Sequence, residues 1–173
     1  YELGYEMHGS ILPITNYLRT TWLWSNVRVQ GGAYGAFCRF ARRSGTLSYV
    51  SYRDPNLTGT LNVYDGTANF LRSTKLDEND LIRSIIGSIS SIDAYELPDA
   101  KGSTSMLRYL IGDKAEDRQR IREQVLNTTQ ADFHRFAEVL DEVAKQGQVV
   151  VLGSQDAIDE ASKDLSISLN QIK

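Results

Sequence analysis

Apolar residues recur along this chain first at helical spacing, then at strand spacing, then at helical spacing again. Ile11, Ile14, Leu18 and Trp22 fall at steps of three and four, the mark of one buried helix face. Ser10 stands where a cap belongs and Pro13 suits a first turn, so the pattern predicts a helix from Ser10 that fades by about Asn26. Gly31 and Gly32 interrupt it. From Ala33 to Phe40 the period becomes two, with Tyr34, Ala36, Cys38 and Phe40 on one side of a strand. Arg42-Arg43-Ser44-Gly45 reads as a turn and Thr46 to Tyr52 as the returning arm of a hairpin.

Helical spacing then resumes. Asp54-Pro55 is a helix start, followed by Leu57, Leu61, Tyr64, Ala68 and Leu71, with Gly59 and Gly66 weakening the helix by roughly 1 kcal/mol each. Asp77 opens a helix with Leu81, Ile85, Ile89 and Ile92 inward. Leu97-Pro98-Asp99 with Gly102 predicts a loop, followed by short helices from Ser103 and near Asp113, where Asp113 and Glu116 resemble a capping box. Thr129 begins a longer helix whose Phe133, Phe136, Leu140 and Val143 point inward and which Gly147 closes. Val149 to Leu152 reads as a short buried strand, and Ser154 starts a last helix. Strands and helices are segregated, which predicts an α+β domain: a mostly antiparallel sheet with helices packed on one face.

Composition narrows the partners. With 173 residues the chain has the length of one ordinary domain. Nineteen basic against 22 acidic residues leave no broad phosphate-neutralising surface, so no nucleic-acid partner is expected. The Arg39, Arg42 and Arg43 cluster reads as a solvated turn. No run has the length to span a bilayer, so no membrane partner is expected. Cys38 is the only cysteine, which rules out an internal disulfide and a cysteine-based zinc cluster; on the inner strand face it reads as a small buried hydrophobe. The start at Tyr1-Glu2-Leu3 has neither the basic flank nor the apolar core of a targeting peptide and no initiator methionine, which points to a chain cut from something longer.

Catalytic constellations are mostly missing. His8 and His134 are the only histidines, and neither has a second histidine near it on a helix face. His134 reads as a surface or boundary residue rather than a ligand. Gly31-Gly32-Ala33-Tyr34-Gly35 lacks the lysine and helix of a phosphate loop; locally, such glycines signal close backbone packing or an unusual dihedral. Tyr34, flanked by small residues, has room for its hydroxyl to stand clear, and Arg28 lies six residues upstream beyond a double glycine that can fold the segment back. A guanidinium fork and a phenol suit the holding of carbonyls or carboxylates and of an oxyanion. Neither activates water, so local chemistry supports half a site.

These residues resemble a family. Trp22-Leu23-Trp24 followed by Arg28-Val29-Gln30-Gly31-Gly32-Ala33-Tyr34-Gly35 is similar to the arginine–tyrosine segment of presequence proteases, which are pitrilysin-type, inverted-zincin metallopeptidases. Ser51-Tyr52-Arg53-Asp54-Pro55-Asn56, Asp65-Gly66-Thr67 and Leu97-Pro98-Asp99-Ala100-Lys101-Gly102 resemble later segments in the same order. The resemblance implies a carboxy-terminal domain of the pitrilysin/LuxS-like metallohydrolase type, spanning residues 1–173 and lacking its first strand because the chain opens mid-pattern. It further implies a long zinc endopeptidase of two halves, closing on unfolded peptides such as cleaved targeting presequences in the mitochondrial matrix or chloroplast stroma. Zinc and the general base would belong to the amino-terminal half of the same polypeptide, on an H-x-x-E-H helix. That motif does not occur here, so no cofactor is expected in this piece and it is expected to be inactive alone. By the same match Tyr34 would touch the scissile carbonyl as the catalytic residue, and Arg28, with Gly31 and Gly32, would hold substrate. A non-catalytic structural or interaction subunit with the same fold is the alternative, and a free-standing peptide-binding module ranks below both.

Overall fold

The computed structural model describes residues 4–164. Helix α1 (Ile11–Thr20) buries Ile11, Ile14 and Leu18 as its spacing requires. Ser10 does not cap it: the hydroxyl is taken by His8 Nδ1 at 2.8 Å, and Ser10 itself is already helical. The helical path also runs past Asn26, since Trp24–Gln30 forms a π-helix. Its wider turn closes with the Gly31 N–H donating to the carbonyl five residues back, on Asn26, at 2.9 Å.

Strand β1 (Gly35–Ala41) pairs antiparallel with β2 (Thr46–Tyr52), Cys38 opposite Tyr49 and Phe37 opposite Val50. Alternation sorts the two faces. Ala36, Cys38, Leu47 and Tyr49 turn toward the helices; Phe37, Val50 and Tyr52 stand exposed on the other side. Tyr34 has the inward parity, yet it precedes the strand and is exposed. The fold is thus α+β, with a two-stranded sheet among the described residues and helices on its inner face.

The predicted helix after Asp54 splits at Gly66 into α2 (Leu57–Asp65) and α3 (Thr67–Ser73). The Asp54 carboxylate accepts from the Asn56 N–H at 2.9 Å and from the Thr60 hydroxyl at 2.6 Å, which delays the start to Leu57. In α4 (Glu78–Ile92) the buried positions are Ser84 and Ser88, with Leu81, Ile85 and Ile89 half-buried and Ile92 exposed. Small residues win because α4 lies close against α1: a Cβ on Gly87 would stand 2.6 Å from Asn16 Nδ2. The helix expected from Ser103 is present but begins earlier: the stretch read as a loop through Gly102 forms the first turns of helix α5 (Pro98–Leu110), with Pro98 in its first turn and no buried residue. Helix α6 (Ala115–Leu126) lacks the expected Asp113 box, because Asp113 pairs with Arg42 and Arg118 instead.

Helix α7 (Gln130–Gln146) has the Thr129 start with a reciprocal box to Asp132, and it buries Phe133, Ala137 and Leu140. It lies along α3, joined by the Arg72–Asp141 ion pair. Val149–Leu152 is not a strand: the segment is irregular, and Val150 and Leu152 project into solvent with no pairing strand beside them among the described residues. Helix α8 (Gln155–Asp164) follows Ser154 as expected.

One core joins these layers: Ile14 and Leu18 from α1, Leu23 and Val27 from the next turns, Cys38, Leu71, and Phe133 with Leu140 from α7. Trp22 bridges to both α2 and α3, donating its indole N–H to the Val63 carbonyl at 3.1 Å and stacking on Phe70 at 4.5 Å. Burial pushes the Cys38 thiol up to about 12. At pH 8 its thiolate population should therefore lie roughly 10³-fold below that of an exposed thiol, and iodoacetamide should label it only in denaturant. Rapid labelling of the native chain would contradict the burial. Linkage has a definite sign here. The unfolded thiol ionises near 9.0 and the folded one near 12, so the contribution of Cys38 is intact below pH 9 and is lost as pH climbs through that window.

Candidate functional site

The π-helix, the double glycine and the entrance to β1 meet the end of β2 at one exposed edge. Within the π-helix, Trp24 and Arg28 are four residues apart, and the Arg28 guanidinium carbon sits 3.9 Å from the centre of the Trp24 ring. Stacked this way, Arg28 sends its Nε–H to the Tyr34 carbonyl at 3.1 Å. The Tyr34 N–H is held too, directed at the carbonyls of Tyr52 at 3.1 Å and Arg53 at 3.3 Å. Tyr34 is therefore fixed by its backbone while its side chain is 68% exposed.

The glycines make this return possible. A Cβ on Gly31 would stand 2.6 Å from the Val27 carbonyl oxygen, so only glycine allows the π-turn to close. Its own carbonyl accepts from Asn56 Nδ2 at 2.6 Å. Gly32 has φ +79°, the left-handed region where a side chain is strained, and this reversal aims the chain into β1. Both local expectations for these glycines, close packing and an unusual dihedral, are met, one at each residue.

Three neighbours have no place in the sequence reading of the site: Trp24, Tyr52 and Arg53. The Tyr34 and Tyr52 rings meet edge-to-face with centroids 6.0 Å apart. The Arg53 guanidinium lies 5.4 Å from the Tyr52 ring centre and 5.8 Å from that of Tyr34. The four-residue step from Trp24 to Arg28 was a signal available in the sequence; nothing comparable announced Arg53. The site thus alternates planar aromatic surfaces with guanidinium groups along one edge. Such an arrangement can hold extended backbone, carbonyls and carboxylates, and it presents two exposed tyrosines, Tyr34 and Tyr52.

Among the described residues no three His, Cys, Asp or Glu side chains gather in one place. His8 is bonded to Ser10, and the exposed His134 lies 3.3 Å from Gln130 Nε2. No described helix is long and apolar enough to cross a membrane.

The profile of the PreP C-terminal domain matches residues 1–155, which include the whole aromatic–arginine edge. This chain belongs to that family. The resemblance to presequence proteases is borne out, and this chain has measurable relatives. It is 49% identical to presequence protease 1, chloroplastic/mitochondrial, of Arabidopsis thaliana over 96% of its own length and 15% of that protein. It is 36% identical to the protein HypA of Clostridium perfringens, over 98% of the chain and 17% of the relative. Against the mitochondrial presequence protease of Aspergillus oryzae it is 31% identical, over 86% of the chain and 14% of that protein. The domain thus spans about one sixth of the length of the relatives it matches.

Proposed function

We propose that this chain is the carboxy-terminal, substrate-contacting domain of a longer zinc endopeptidase that degrades unfolded peptides such as cleaved presequences. The observation that carries the reading is the coupling of Arg28 to Tyr34: a guanidinium holds the tyrosine's carbonyl while the phenol stays exposed. In this reading Tyr34 donates its hydroxyl to the scissile carbonyl as charge develops on the oxygen. Arg28 spends one of its five N–H donors on Tyr34 and offers the rest to peptide carbonyls. Gly31 and Gly32 serve substrate binding through the turn they allow, which closes the π-turn against Val27 and returns the chain so that Arg28 and Tyr34 stand together.

Among the described residues no metal-donor cluster gathers, and in this reading the zinc and the general base belong to the amino-terminal half of the longer polypeptide, leaving the domain alone inactive. Two of the relatives are named as chloroplastic/mitochondrial and mitochondrial presequence proteases, and the same compartments are proposed here.

The test is peptide hydrolysis by the full-length, zinc-loaded polypeptide carrying Arg28→Ala. Losing a charged hydrogen-bond partner corresponds to roughly 1.5–3 kcal/mol, so kcat/KM should fall by about 10- to 100-fold, with KM raised. Unchanged kinetics would sink the reading and leave a structural subunit in its place.

A further inference from the structure

Arg53 is the one described residue other than glycine with a positive φ, at 48°. The remaining positive-φ positions are Gly4, Gly32, Gly45 and Gly112. A side chain in this region crowds its own backbone, which is why glycine or asparagine is the ordinary occupant. The backbone job at this position, accepting from the Tyr34 N–H, needs only a carbonyl and would be met equally well by glycine. The side chain therefore needs its own explanation.

Pairing within the domain does not supply one. Seven other described arginines pair with aspartates, while Arg53 lies within ion-pair distance of no described carboxylate. The nearest acid in sequence, Asp54, has both oxygens committed to Asn56 and Thr60. The guanidinium rests beside the Tyr34 and Tyr52 rings, which orient it without using any N–H donor. An oriented, unneutralised fork beside an exposed phenol is built for a planar anion.

We propose that Arg53 binds a carboxylate of the peptide lying against Tyr34, so that the site selects substrates with a carboxylate just beyond the held carbonyl. This rests on the peptidase reading above. Two sources share that chemistry: the free carboxy terminus of a short peptide, and an Asp or Glu side chain within a longer one.

The experiment uses the full-length, zinc-loaded polypeptide and two substrate pairs, one peptide as its carboxy-terminal acid or amide, and another with an internal Glu or Gln. Wild type should prefer the acid in one pair by roughly tenfold or more in kcat/KM, and the pair that shows it names the source. Arg53→Gly fits the backbone without strain and so retains the fold; it should bring that ratio to about one. Arg53→Lys, which keeps the charge but loses the fork, should fall between. A wild type without preference in either pair, or a ratio unmoved by Arg53→Gly, overturns the proposal. Tyr34→Phe separates this failure from failure of the underlying reading. If it lowers turnover on acid and neutral peptides alike while Arg53→Gly leaves the ratio intact, the peptidase reading stands and the carboxylate site falls. If Tyr34→Phe has no effect on any peptide, both fall.

Discussion

Replacing Tyr34 with Phe in the full-length, zinc-loaded polypeptide should lower peptide turnover by roughly 10²–10³-fold, the usual cost of one oxyanion donor. The substitution is clean because everything that positions the residue is independent of its hydroxyl. The backbone N–H is directed at Tyr52 and Arg53, the carbonyl is held by Arg28, and the ring meets Tyr52 edge-to-face. A phenylalanine retains all of these contacts. The side chain is exposed, so stability should shift by no more than about 0.5 kcal/mol. Turnover should fall more than KM changes, since the lost interaction strengthens as charge develops on the carbonyl oxygen. Zinc content measured alongside should be unaltered, because Tyr34 is no part of a metal-donor cluster and no such cluster gathers among the described residues. Wild-type turnover in the variant would remove Tyr34 from the reacting centre.

The second large effect belongs to stability. Phe133→Ala should cost about 3–5 kcal/mol, measured as a drop in the urea midpoint at unchanged slope. Phe133 is 1% exposed and meets Tyr17 of α1 edge-to-face at 5.5 Å, so truncation opens a cavity beside Tyr17 in the core. Helix α1 leads directly into the π-helix that holds Arg28. A variant that folds should therefore also show lower peptide affinity when α1 shifts into the void. A loss below about 1 kcal/mol would mean that α7 is not seated on this core.

The elements that could be read from sequence are those whose burial is one-sided. The α1 face at Ile11, Ile14 and Leu18, the hairpin alternation through Cys38, and the Thr129 start of α7 all combine a regular period with local turn or cap chemistry. The misreadings have one cause each. The close approach of α4 to α1 favours Ser84, Gly87 and Ser88 over the larger residues on which a hydrophobic count relies. The first turns of helix α5 contain Pro98 and Gly102, turn residues that masked a helix start five residues ahead of the expected one at Ser103. At Val149–Leu152 the β-branched run was sound local evidence, but a strand requires a partner, and no described strand lies beside it. At the site, the spacing of Arg28 and Tyr34 was visible in sequence, whereas Arg53 was not: its left-handed backbone and its position over two tyrosines depend on the meeting of β2 with the chain entering β1.

The π-helix makes chain length itself a determinant of the site. A turn closed five residues back holds more chain than an α turn over the same rise. Deleting Ser25, Asn26 or Val27 would let the segment relax toward 3.6 residues per turn and shorten the step from Trp24 to Arg28 from four residues to three. Arg28 would swing off the Trp24 ring or away from the Tyr34 carbonyl, with every site residue still present in the sequence. The segment behaves as a ruler, and its residue count is under the same constraint as the identity of its arginine.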